Sequence, residues 1–244
     1  MAIKKVGMSP GGRLETGAAV LAAAEVINSK LIQFIKPRLL EFSAAHRSYV
    51  DAQAKVDAAN IKFRAAQAEL GRCDAEQGEV VEALAGTLCA DGQPRSNPFA
   101  AFGAAAPFNI KRLPSADEAA AVHELVAAIR RGKNLSKATL EAAAVADKAA
   151  RAVEAALAPL AKLEEAARNA RHTRDAIGQT WETTLAVLRR AARTAEDDGA
   201  PGLYAALFGR LGRATKRRSN TDAAAQTPDP NPPATNAPAP VKPA

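Results

Sequence analysis

The 244-residue chain carries 33 Lys and Arg against 26 Asp and Glu, a formal net charge of +7, and only 4% of its residues are aromatic. With few rings and abundant alanine, a globular core built on large buried aromatics is excluded, and close helix–helix contact has to replace it. The charge surplus is uneven: residues 1–200 hold 27 basic and 24 acidic groups and residues 201–244 hold 6 and 2, so an anionic partner would meet the C-terminal segment rather than the body, whose interspersed charges fit a solvated helical surface.

Residues 1–12 contain Ser9-Pro10-Gly11-Gly12, a breaker cluster that predicts an irregular N-terminus. A first helical arm then spans 13–90, with Pro37 as its one strong breaker. Alternating steps of three and four residues from Ile35 land on Arg38, Phe42, Ala45, Tyr49, Ala52, Val56, Ala59, Phe63, Ala66, Leu70, Cys73, Gln77, Val80 and Leu84. Only Arg38 and Gln77 are polar, and the alternation of Phe42, Tyr49, Val56, Phe63 and Leu70 with alanine lets two backbones approach closely. Run backwards, the same register meets Leu14, Gly17, Leu21, Ala24, Asn28 and Leu31, which predicts a kink near Pro37 rather than a reversal.

Beside this seam runs a second row at seven-residue spacing: His46, Gln53, Asn60, Gln67 and Asp74. It reads either as a solvated flank or as a polar face that docks a third helix or a partner through side-chain hydrogen bonds. Cys73 and Cys89 sit on the same arm, roughly 24 Å apart along its axis, so they cannot pair with each other. The expectation is a reducing cytoplasm, with Cys73 as a small core residue and an intermolecular disulfide as the alternative.

Residues 91–114 hold Pro94, Pro98, Gly103 and Pro107 and form a tip loop. Ser115 and Glu118 then have capping-box spacing and open a second arm over 115–198, kinked near Gly132. Its seam takes Ala142, Ala146, Ala149, Val153, Ala156, Leu160, Leu163, Ala167, Ala170, Arg174, Ile177, Trp181, Thr184, Leu188, Ala191 and Ala195, with Arg174 as a register-setting polar layer. A strict seven-residue repeat of this length implies left-handed supercoiling. The fold class is therefore all-α: a long antiparallel coiled-coil helical hairpin, with an elongated helical bundle folded at the kinks as the alternative.

After the second arm, residues 199–218 form a basic amphipathic segment in which Leu203, Tyr204, Leu207, Phe208 and Leu211 lie opposite Arg210, Arg213, Lys216 and Arg217. Three readings fit: a helix that caps the bundle end, an interfacial helix on an anionic membrane, or a contact with nucleic-acid backbone. Residues 219–244, rich in Pro, Ala, Thr and Asn, read as a disordered spacer.

The chemistry-bearing motifs are missing. His46, His123 and His172 stand outside any Glu-x-x-His pair, and His123-Glu124 lacks the second histidine of a zinc-protease helix. There is no Walker loop, no Cys-x-x-Cys and no nucleophile elbow, and the adjacent carboxylates Glu164-Glu165 and Asp197-Asp198 point about 100° apart on a helix. No run of eighteen apolar residues could span a bilayer. These features predict a non-enzymatic protein with no catalytic, metal or cofactor site, a cytoplasmic coiled-coil scaffold or adaptor that binds other proteins. An alanine seam buries little apolar area per residue, so it is expected to form a homodimer. The alternative is a peripheral membrane-binding or membrane-shaping coiled coil, similar to BAR-type modules in general layout only, and a third reading is a nucleic-acid-binding protein.

Overall fold

A computed structural model describes residues 8–209, and every regular element among them is a helix. In chain order these are α1 (Pro10–Val26), α2 (Ser29–Ile32), α3 (Lys36–Ala90), a 3-10 turn (Ala100–Phe102), α4 (Pro107–Ile110), α5 (Ser115–Arg131), α6 (Lys137–Leu157), α7 (Leu160–Asp197) and α8 (Leu203–Phe208). They divide into two compact units: unit 1, whose described parts are 8–46 and 181–209, and unit 2, Arg47–Thr180.

The first helix begins earlier than the breaker cluster suggested. Ser9 is its N-cap, with Oγ accepting the Gly12 N–H at 3.1 Å, and Pro10 occupies the first helical turn, where its missing N–H has no intrahelical partner to lose. The cluster thus starts a helix instead of preventing one. α1 ends at Val26 because Ile27 is extended (φ −81°, ψ 145°) and Asn28 caps the next turn, accepting the Lys30 N–H at 2.9 Å.

The chain then reverses. A Cβ placed on Gly17 would overlap the imidazole of His46, so α1 lies directly against the first turns of α3. The kink expected near Pro37 is therefore a turn over residues 27–35, and Pro37, as the second residue of α3, sits where proline is tolerated. α3 itself runs unbroken for 55 residues. Of its heptad positions only Arg38 is exposed; Ile35, Phe42, Tyr49, Val56, Cys73, Gln77 and Leu84 are buried, whereas Phe63 and Leu70 are half-buried.

The break near Gly132 is also a reversal. The Gly132 N–H closes α5 on Ala128 and Ile129, Asn134 takes a left-handed conformation (φ 63°), and Ser136 caps α6 by accepting the Thr139 N–H at 3.2 Å. α5 and α6 then pack on each other. Val122, Leu125, Val126 and Ile129 of α5 meet Ala143, Ala146, Ala150 and Val153 of α6 and Val81, Leu84 and Leu88 of α3, with Phe99 and Ile110 closing one side. The core of unit 2 is thus built by three helices, and α6 is a separate helix from α7, divided from it at Pro159.

None of the second-arm seam positions is exposed, but the deepest stripe on α7 is turned by one residue: Leu185 and Ala192 are buried where Thr184 and Ala191 are half-buried. Leu160, Leu163 and Ile177 are half-buried, and Trp181 and Leu188 are fully buried. The capping box is displaced in the same way. Pro114 takes the N-cap position, its carbonyl accepting the Glu118 N–H at 2.9 Å, which frees Ser115 to bond to α3 and turns Glu118 inward.

Phe42 is fully buried in unit 1, its ring 5.5 Å from that of Trp181 and 6.2 Å from that of His46. Phe42→Ala is expected to cost about 3–5 kcal/mol, and Phe63→Ala, at a half-buried position, about 1–2 kcal/mol. Urea denaturation of the two variants checks this; equal costs would show that Phe63 is covered in solution.

Candidate functional site

The C-terminal segment is the candidate that the sequence offers for a contact with a partner or membrane. Gly199 (φ 105°) and Gly202 (φ 79°) adopt left-handed conformations that turn the chain back, and α8 packs on α1. Leu203, Leu207 and Phe208 are buried there, with the Arg189 guanidinium 5.4 Å above the Phe208 ring. Tyr204 carries the Arg193 guanidinium over its ring at 4.6 Å, and its N–H donates to Glu196 Oε1 at 3.1 Å. Leu203, Leu207 and Phe208 are thus packed into the interior of unit 1. Arg210, Leu211, Arg213, Lys216, Arg217 and the spacer at 219–244 lie outside the described residues.

The polar row of α3 has a more instructive fate. In unit 1, His46 is buried, its Nδ1 accepting the Trp181 Nε1–H at 3.2 Å beneath Gly17 of α1. Burial holds this imidazole below its ordinary pKa, which keeps it neutral and able to accept that bond. In unit 2, Asp74 Oδ2 accepts from the Ser115 hydroxyl at 2.9 Å, tying down the first residue of α5. Gln53 donates to Asp57 Oδ1 at 2.9 Å and accepts from Arg174 Nη1 at 3.3 Å. Asn60 is half-buried and Gln67 exposed.

Arg174 also donates to Asp175 Oδ1 from Nε and Nη2 at 2.9 and 2.7 Å, so the one cation in the second seam is neutralised at the edge of the helix pair. Asp147 on α6 gathers a larger set. It accepts from His123 Nδ1 at 2.8 Å, Arg130 at 3.1 Å and Arg151 at 2.9 Å. Burial pushes its carboxyl up, but the His123 and Arg130 hydrogen bonds and the two guanidinium charges outweigh this and hold it below the usual carboxylate range. A carboxylate so occupied fixes α5 to α6 and has no proton to trade near neutral pH.

Between α3 and α5 the polar atoms are less well served. Gln77 is fully buried with neither amide atom hydrogen-bonded, and Glu118 Oε1 and Asp74 Oδ1 also lack partners. Burial pushes Glu118 above the usual carboxylate range, and the charge of Asp74 adds to the rise, against an opposing pull from Lys111. Sequence spacing gave no warning of this cluster or of the Asp147 one, because their members come from different helices. Among the described residues no group of three His, Cys, Asp or Glu side chains could hold a metal ion, and no helix is long and apolar enough to cross a membrane.

No protein-family model, curated protein or solved structure matches this chain. Because Phe208 is packed inside unit 1, Phe208→Glu should lower the melting temperature by several degrees, the effect of about 1–3 kcal/mol; an unchanged thermal transition would mean that the side chain faces solvent. The raised carboxyl of Glu118 means that the folded state holds its proton more tightly than the unfolded chain, so stability is lost as pH rises above the ordinary carboxylate value. Glu118→Gln should therefore raise the melting temperature at pH 7 and lose that gain at acidic pH, as a thermal-denaturation series would record.

Proposed function

We propose that this is a non-enzymatic structural and interaction protein, an antiparallel coiled-coil scaffold that forms a homodimer and docks other proteins on open helix faces. One observation carries the reading. Where a helix of the chain reaches the polar row of α3, that row receives it: His46 lies under α1 and Asp74 holds the start of α5. Of the positions between them, Gln53 takes Arg174 from α7, Asn60 is half-buried, and Gln67, of the same polar kind, is exposed.

The antiparallel pairing of α3 with α7 is supported within unit 1, and the same two helices touch in unit 2. In unit 1, Phe42 and His46 meet Trp181, while Pro37, Arg38 and Glu41 share a cleft of about 470 Å3 with Ala191, Thr194 and Ala195. Residue numbers thus rise along α7 as they fall along α3. In unit 2, Gln53 bonds to Arg174. The coiled-coil character rests on the three-four register, whose positions, Arg38 excepted, stay on the covered side of both helices, and a short return per alanine favours a further copy to complete the burial.

Light scattering on the full chain should give twice the 25.4 kDa mass across the micromolar range. A 25.4 kDa species throughout would remove the homodimer from this reading. An anionic membrane and nucleic acid are the other partners that the basic C-terminus suggests; with Leu203, Leu207 and Phe208 buried, co-sedimentation with anionic vesicles should be weak and abolished by salt, as for charge attraction alone. Salt-resistant vesicle binding would favour the membrane reading instead.

A further inference from the structure

We infer that the self-association surface is the middle of α3, residues 53–68, which pairs antiparallel with the same segment of a second copy. The inference rests on the scaffold reading above and names where its dimer contact lies. From Asp57 to Arg72 no residue of α3 is buried, although buried residues recur every three or four positions on either side of that stretch. Here α3 keeps a face of its own: Ala54, Asp57, Ile61, Arg64, Ala65 and Ala68 fall within an arc of about 100°, and all six are exposed.

Ile61, 68% exposed, is a β-branched apolar side chain held in water at the centre of this face. The alanines around it leave no bulk to keep a second backbone away, so two helices could approach closely. Gln53, Asn60 and Gln67 border the face and belong to the row whose outer members already receive helices. An apolar centre with a rim of uncharged donors and acceptors is the composition of a helix-docking surface.

The charges choose the occupant. Asp57 and Arg64 are seven residues apart, hence on one side of the helix. Among the described residues neither makes an ion pair; Asp57 accepts only from Gln53. An antiparallel pair with its two-fold axis between Asn60 and Ile61 sets Asp57 of each copy across from Arg64 of the other. It also places the two Ile61 side chains together at the axis and lays Ala54 and Ala68 against Gln67 and Gln53. A parallel pair would face Asp57 with Asp57 and Arg64 with Arg64, which is repulsive twice. The face is thus complementary to itself in one direction only.

Sedimentation velocity of the full chain over a micromolar concentration series tests this, with circular dichroism to check that helix content is unchanged. Asp57→Arg and Arg64→Asp should each weaken dimerisation by about tenfold or more, because each places like charges together, and the double variant D57R/R64D should restore it. Single variants that dimerise as well as the unsubstituted chain, or a double variant that stays as weak as the singles, would overturn the interface while leaving the dimeric scaffold intact. An unsubstituted chain that is monomeric throughout would overturn both.

Discussion

Alanine at the helix–helix contacts is the constraint on which the rest of this structure depends. A buried methyl removes little apolar area from water, so a pair of alanine-lined helices gains too little, at roughly 25 cal/mol per Å2, to offset the ordering of its chain. Small side chains do allow backbones to come close, and a third helix can then lie in the groove and add a second contact line to each. Both compact units are built in this way. In unit 1, α1 lies so near α3 that Gly17 has no room for a Cβ beside His46. In unit 2, alanines of α6 fill the space between α5 and the C-terminal half of α3. Each third helix exists because the chain reverses, at residues 27–35 and at 132–136, and each reversal is held by a side-chain cap, Asn28 in one and Ser136 in the other.

Close approach also decides what happens to polar side chains near the contact lines. A polar group there is cut off from water and has to find a partner or carry a cost. His46 finds Trp181, Arg174 finds Gln53 and Asp175, and Asp147 finds His123 and two guanidiniums. Gln77 and Oε1 of Glu118 do not, and with the same low polarity around them the unmade bonds cost more than elsewhere. Their position beside the Asp74–Ser115 bond explains why they are tolerated: that bond and the apolar residues of the unit 2 core fix α5 against α3 regardless.

Much of this architecture can be read in the residues, and the parts that cannot share a cause. The phase of the seam is legible because a period near 3.5 reports which side of a helix is covered, whatever covers it; Phe42, Tyr49, Val56, Trp181 and Leu188 are all buried as their spacing implies. Depth is not legible, since Phe63 and Leu70 occupy the same phase and are only half-buried. The direction of the chain after a break is not legible either. Leu14 to Leu31 keep the register of α3, yet α1 folds back on α3, because phase carries no sign and the cap at Asn28 matters more than the proline that follows. The C-terminal segment shows the same limit: its apolar face is plain in Leu203, Leu207 and Phe208, but only tertiary structure reveals that α1 lies against it. For the polar row, the spacing marks the face and says nothing of which members meet a helix.

An exposed stretch in the middle of a long helix raises the question of what keeps it helical. Isolated helices are marginal in water because nucleation is unfavourable, but extending an existing helix adds a hydrogen bond for each residue fixed. Residues 57–72 of α3 are preceded and followed by turns whose side chains are buried, so neither end has to nucleate. Most of the stretch is strong helix formers, Ala, Lys, Arg, Gln, Glu and Leu; Asp57, Asn60, Ile61 and Phe63 are weaker, and Gly71 is the weakest point. Arg72 bridges that point from its C-terminal side, pairing with Glu69 at 2.7 Å and with Glu76 at 3.1 Å. Each such exposed pair is worth only about 0.2–0.5 kcal/mol, yet they span the glycine where fraying would otherwise begin. The helix can therefore present Asp57, Ile61 and Arg64 to solvent in fixed geometry without a neighbour to hold them, and a partner binding there would meet a surface already ordered, with little conformational entropy left to lose.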